Sequence, residues 1–462
     1  MAAAERARPP EPPAEVYRGW DGKPVTSRCH AARDDAEGFK AALAAHQNAL
    51  IGFENKMRTM YYRVPQKVAT WLSGLAPERA VDIVARRLSA LGNEGATLAL
   101  VYDTGVSDGS YAVCVWLVSS RGIEAAETVP LASYTSFARG IETSLGVVTR
   151  AASRSPRPRR PARTRGTRAL PANAAGTEAS PAETLASVGA RLLPPTIAAR
   201  LLASRFDRLL ILPAADLGTV PFAALPVGDR MLIDLATIVV LPDIEGLYLD
   251  QPSFPFGMRG RFPTSLVVGD PDLSRDADYE WVPLPGARRE AEAAAKVGAS
   301  VVLTGPDASR TAVLKRLGTN APSLLYFATH GIADPVNPMD GSFLALTGGH
   351  LFARDIKKLR LGSRPLVVMS ACQTGLGKVF EGGVFGLARA WLHAGARQVV
   401  MSLWNVSDEA TERLMTDFVG GLRIKAPEVA LHEAMLFARH REKDPALWAG
   451  FTIYGAPDPA SR

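Results

Sequence analysis

Long apolar runs are missing from this 462-residue sequence, and so are most of the residues that build cross-links. No stretch approaches the roughly 18 uninterrupted apolar residues that a membrane-crossing helix needs, so no membrane partner is expected. The opening MAAAERARPPEPP lacks the apolar core of a secretion signal, which sets the expectation of a cytoplasmic protein. Cysteine is scarce: Cys29, Cys114 and Cys372 are far apart and odd in number. That count argues against a disulfide framework, and in a cytosol all three thiols are expected to be reduced. Only Cys29 and His30 set two metal-ligating residues side by side, and two ligands do not make a zinc site. No metal and no other cofactor is therefore expected.

Other absences narrow the function classes. No motif recurs at the period of about 30 to 45 residues that marks a solenoid. No G-x-S-x-G elbow occurs, which removes the usual α/β serine hydrolase. GLGKV, residues 375 to 379, ends like a phosphate-binding loop, but no Ser or Thr follows Lys378 and the upstream glycine is missing. The net charge of +7 suggests nucleic acid until it is located. Residues 150–168, RAASRSPRPRRPARTRGTR, hold eight arginines and no acid, so +7 less +8 leaves −1 for the rest of the chain. Basicity belongs to one segment, and a nucleic-acid partner is not expected.

What is present divides the chain. Residues 1–34, rich in Pro, Ala, Arg and Glu, read as a disordered tail. Residues 35–95 read as helical: in ERAVDIVARRLSALG, Val81, Val84, Leu88 and Leu91 recur at three- and four-residue steps, with Gly92 where a C-terminal cap belongs. Within 96–149, two β-rich runs flank Asp108-Gly109 and predict a hairpin, with Cys114 a small buried side chain in its second strand. Residues 150–186 lack periodicity and read as an Arg/Pro-rich linker or disordered insertion, either a spacer or a tether and cutting site. From 187 to 462, short Val/Ile/Leu-rich runs such as TSLVVGDPDL, SLLYFATHG, RPLVVMSACQTG and ARQVVMSLWNV alternate with helical stretches. That pattern predicts an α/β domain with a mostly parallel sheet covered on both faces, reactive groups gathering at the carboxyl ends of the strands.

Two of those strand ends carry chemistry. LLYFATHG ends in His330-Gly331, and PLVVMSACQTG places Cys372 at a strand end 42 residues later, a spacing that suits a crossover to a neighbouring parallel strand. A free thiol has a pKa near 8.5, so only a few per cent is thiolate at neutral pH. An imidazole beside it can take the thiol proton and later protonate a leaving amine, and amides at tight glycine turns can hold an oxyanion. Gly331 and the backbone at Cys372 are the candidate donors. Either residue alone has an ordinary reading as core filler. Together, on successive strands of one sheet, they point to nucleophilic catalysis. His30, His46, His350, His393, His432 and His440 have no such partner.

LLYFATHGIADPVNP, VVMSACQTGLGKV, GLARAWLHAGARQVVMSLWNVSDEAT and PALWAGFTIYGAPD resemble the CHAT-domain family, caspase-like cysteine peptidases distantly related to separase. The similarity is dense from about 205 to 456 and takes in ILPAADLGTVPFAALP and LPGARREAEAA. It implies a caspase-like three-layer α/β sandwich, a His330/Cys372 dyad, an oxyanion hole of the Gly331 and Cys372 amides, and a regulated endopeptidase cutting few protein targets, in a setting such as bacterial defence. It also implies an acid near the SLWNV strand that holds a basic P1 side chain: Asp408 first, Glu412 second. Asp408 has an alternative role, with Ser407, as cap of the helix SDEATERLM. Asp270 and Asp272, at the end of TSLVVGDPDL, either orient substrate or cap the next turn. The chain departs from the family in lacking a tetratricopeptide array, leaving residues 35–95 to engage any activating protein partner. It also carries the arginine insertion, and its loop KVFEGGVFG is slightly short. The rival reading is a non-catalytic caspase-like interaction scaffold.

Overall fold

The computed structural model describes residues 36–44, 76–91, 96–107, 110–131, 157–158, 185–214, 217–218, 220–242, 262–319, 322–334, 337–372, 386–404 and 406–457. The N-terminal tail, most of the arginine-rich segment, the turn at 108–109 and the loop KVFEGGVFG up to Phe385 lie outside the described residues. No described helix is long and apolar enough to cross a membrane.

One large sheet organises the chain. Its strands are β1 (Thr97–Ser107), β2 (Ser110–Ser119), β3 (Gly122–Leu131), β4 (Arg208–Leu212), β5 (Thr237–Val240), β6 (Thr264–Pro271), β7 (Ala299–Gly305), β8 (Leu324–Ile332), β9 (Phe343–Leu346), β10 (Gly349–Phe352), β11 (Leu366–Cys372), β12 (Gln398–Ser402) and β13 (Phe451–Tyr454). They lie in the order β7-β6-β8-β11-β12-β13-β5-β4-β1-β2-β3, with the β9–β10 hairpin hung from the end of β8. Neighbours from β7 to β12 are all parallel. The direction reverses at β12–β13, after which β13, β5, β4 and β1 are parallel again, and β1, β2 and β3 then alternate in direction.

Helices among the described residues include α1 (Pro77–Ala90), α2 (Leu185–Leu192), α3 (Pro195–Ala203), α4 (Pro285–Ala294), α5 (Arg310–Thr319), α6 (Ala353–Ile356), α7 (Leu387–Ala394), α8 (Asp408–Gly421) and α9 (Pro427–Arg441). They cover the sheet on both faces, because each central strand is apolar at odd and even positions alike. In β8, Leu324, Tyr326 and Ala328 enter one core with Val84 of α1, Ala291 of α4, Leu414 of α8 and Leu431 of α9. Leu325 and Phe327 enter the other with Val188, Ile197, Val313, Ile356 and Trp391 from α2, α3, α5, α6 and α7. This is the mostly parallel α/β sandwich expected. Gly269 of β6 lets α4 lie close: a β-carbon there would stand 2.4 Å from that of Ala291.

Three expectations change. The hairpin is a three-stranded meander, and β1 pairs in parallel with β4, so it continues the main sheet. Its third strand, GIEAAETVPL, carries Ala and Glu where a strand signal needs branched residues. It lies at the sheet edge beneath α3, where Arg200 pairs with Glu124 and the Thr196 amide donates to Glu127 at 3.1 Å. The run between β8 and β11 holds the β9–β10 hairpin as well as a helix. Finally, Cys114 is disulfide-bonded rather than a reduced thiol; spacing along the sequence does not report distance in the fold.

Candidate active site

His330 is the seventh residue of β8 and Cys372 the last of β11. The two strands are parallel and in register from Leu324 opposite Leu366 to His330 opposite Cys372. Neighbouring strands lie about 4.8 Å apart, so the two backbones stand one strand spacing from each other at the carboxyl rim. The alternation that sends Tyr326 and Ala328 toward α4 assigns position 330 to the same face. Gly331 follows in β8 opposite Leu344 of β9, and the Thr329 hydroxyl donates to the Ala345 carbonyl at 2.7 Å. The strand end that presents the imidazole is thereby fixed.

His330 is 8% exposed. Its Nε2 lies 2.6 Å from the Val282 carbonyl oxygen, and its face rests on Trp281 with ring centroids 4.8 Å apart. A carbonyl oxygen can only accept, so Nε2 carries the hydrogen, and in the neutral ring Nδ1 keeps its lone pair. Burial pushes the His330 pKa below its ordinary value, opposed by the Val282 hydrogen bond and the negative charge of Asp408. At neutral pH the ring is therefore an uncharged base.

Asp408 divides the two roles offered by the sequence. Ser407 caps α8 alone, accepting from the Ala410 amide at 3.2 Å. Asp408 reaches across to α4 and accepts from the Gly286 amide at 2.8 Å. That contact needs glycine, since a β-carbon at 286 would sit 2.8 Å from Asp408 Oδ1. The other candidate acids hold arginines. Glu412 receives Arg289 Nε and Nη2, each at 2.6 Å, and that ion pair holds the Glu412 carboxyl below its ordinary range. Asp270, at φ 47° on the rim of β6, accepts from Arg288 Nε at 2.9 Å. Asp272 accepts from the amide and hydroxyl of Ser274 in the next turn.

Beneath the dyad positions lies a buried acid that sequence reading missed. Glu290 of α4 is 2% exposed and accepts from the Tyr326 hydroxyl at 2.6 Å. It shares a small cavity with Ser370, Ser402, Asp408 and Thr411. Burial pushes its carboxyl up to about 8, against the Tyr326 hydrogen bond and the nearby Ser370 hydroxyl, which favour the charged form. A signal existed: Glu290 falls on the same stripe of PGARREAEAA as Ala287, Ala291 and Ala294, all buried. Trp281 and Val282 were missed as well, and contacts 48 residues distant in sequence leave no local pattern.

This arrangement defines an α/β protein with His and Cys paired at the carboxyl rim of neighbouring parallel strands. A family model described as CHAT domain matches residues 181–456, and the chain belongs to that family. Two curated relatives are tetratricopeptide repeat protein 28 of Mus musculus and of Homo sapiens, 26% and 28% identical over 306 residues. Each match spans 54% of this chain but only 12% of the relative's length. Among solved structures, the Arg-specific cysteine proteinase gingipain R is similar at 13% identity and a TM-score of 0.39, over 56% of this chain and 64% of that one. The separase–securin complex of Saccharomyces cerevisiae is similar at 16% identity and a TM-score of 0.37, over 55% of this chain and 16% of that one. Both structural likenesses are remote.

Proposed function

We propose that the protein is a cysteine endopeptidase acting on one or a few protein targets. The observation that supports this reading most directly is the register of His330 opposite Cys372, with the imidazole held as the Nε2–H tautomer. In the proposed reaction His330 Nδ1 takes the thiol proton, and the sulfur attacks the peptide carbonyl carbon. The amides of Gly331 and Cys372 receive the oxyanion. The imidazolium then protonates the departing amine as the C–N bond breaks, and water hydrolyses the resulting thioester. Residues 187–462 form the catalytic unit in this reading, and 35–95 the surface for an activating protein.

A basic P1 residue fits an acid near the rim. Asp408 suits the role best, because its described partner is an uncharged amide, whereas Glu412 and Asp270 would have to share or exchange an arginine. The test is labelling with a peptide acyloxymethyl ketone bearing Arg at P1, read by intact mass in wild type, Cys372→Ala and His330→Ala. An adduct in wild type alone supports both dyad and basic P1. A panel of other P1 residues that labels only with acidic or apolar members overturns the specificity. No adduct across the whole panel favours the scaffold reading, to which the 8% exposure of His330 beneath Trp281 lends an observation of its own.

A further inference from the structure

Residues Arg157–Pro158 pair antiparallel with Tyr279–Glu280, Tyr279 opposite Pro158 and Glu280 opposite Arg157. The two partners come from segments of opposite charge. Residues 150–168 hold eight arginines and no acid, whereas DPDLSRDADYE, residues 270–280, holds Asp270, Asp272, Asp276, Asp278 and Glu280 against Arg275 alone. Asp270 is taken by Arg288, and Asp276 by the Trp281 indole and the Asp278 and Tyr279 amides. Asp272, Asp278 and Glu280 are exposed to a passing cation. The pairing also has a defined place. Glu280 is followed by Trp281, which stacks on His330, and Val282, which accepts the hydrogen bond from its ring.

We propose that the strand Tyr279–Glu280 is a docking edge for the chain's own arginine-rich segment, so that residues 150–168 are moored beside His330. Main-chain pairing sets the position and the acids of 272–280 supply the attraction. A two-residue ladder is marginal by itself. Pro156, Pro158 and Pro161 lack the amide hydrogens that would prolong the ladder. Electrostatics must therefore carry most of the affinity, which makes the mooring sensitive to salt.

The test uses the full-length protein and needs no activity from Cys372. Added trypsin cuts after Arg159 and Arg163, neither of which precedes proline. The cutting rate is read by mass spectrometry against a synthetic 150–168 peptide, at about 0.05 M and about 0.5 M NaCl. Amide exchange at 279–282 is followed in parallel. Mooring gives cutting at least about tenfold slower in the protein than in the peptide at low salt, and salt or the pair Asp278→Lys and Glu280→Lys brings the two within about twofold, with faster exchange at 279–281. Equal cutting of protein and peptide at low salt would overturn the proposal, as would protection indifferent to charge reversal in a variant with an unchanged melting curve. If the variant does not fold, the salt series on the wild type decides by the same two criteria.

Discussion

Replacing Glu290 by Gln should make the protein more stable at alkaline pH, and the size of the effect follows from the burial of this carboxyl. Its pKa rises from 4.5 to about 8 in the folded protein because α4 and β8 shut it from water, with Tyr326 the donor at 2.6 Å. Between those two values the folded state keeps a proton that the unfolded state has lost. Unfolding thus releases a proton, and stability falls as pH rises through the interval. At about 1.36 kcal/mol for each pH unit, the loss between pH 5 and pH 8 is about 3.5 kcal/mol from this group alone. Gln keeps the volume and an acceptor for Tyr326 but has no proton to lose. Urea denaturation of wild type and Glu290→Gln should agree within about 1 kcal/mol at pH 5 and separate by about 3 to 4 kcal/mol at pH 8, the variant being stronger. Asp103, raised by burial to about 7, adds the same slope to both proteins and cancels in the difference. Parallel stability curves for the two proteins would show that Glu290 is ionised in the fold and would refute the reasoning.

Gly286→Ala should lower stability by about 1 to 3 kcal/mol by chemical denaturation, because its β-carbon would press on the Asp408 carboxylate. Gly318→Ala, also helical but with nothing within 4 Å of the added carbon, should gain a few tenths to about 1 kcal/mol; equal losses at both sites would remove the Asp408 contact as the cause. Asp408→Asn keeps an acceptor for Gly286 and deletes the charge that raises the His330 pKa. The His330 midpoint in an NMR titration should therefore move further below its ordinary value, and an unchanged or higher midpoint would contradict the electrostatic role. Arg289→Ala should leave the urea midpoint nearly unchanged, since the Arg289 side chain is 57% exposed; a clearly lowered midpoint would mean that the pair holds α4 to α8 more strongly than its exposure indicates.

The fold was legible where burial repeats along the chain. Near-continuous apolar runs identify β6, β8, β11 and β12, and the helical stretches between them require the parallel sheet. The rim was legible for the same reason: a strand can end on a polar residue only where the sheet meets solvent or a site, and His330 and Cys372 each end such a run. Other features were less legible because their cause is remote in sequence. β3 looks helical to propensity because Glu124 and Glu127 make their case only against α3. Asp408 could be read from sequence as a substrate-holding acid or as a helix cap, because its partner, the amide of another helix, leaves no local pattern.

These remote contacts place three kinds of control on one face of two strands. His330 draws its tautomer from Val282, its cover from Trp281 and part of its basicity from Asp408. Asp408 in turn is seated by Gly286, one turn before Glu290 on α4, and its charge adds to the burial that keeps Glu290 protonated. Helix α4 and the strand leading into it therefore touch the imidazole from above and the sheet below it. A shift of that segment would move the ring's hydrogen bond, its stacking partner and its nearest negative charge together. The same segment begins at Tyr279–Glu280, where the arginine-rich chain is paired. Coupling between that pairing and His330 then needs no long pathway, because only Trp281 lies between Glu280 and the carbonyl that fixes the ring.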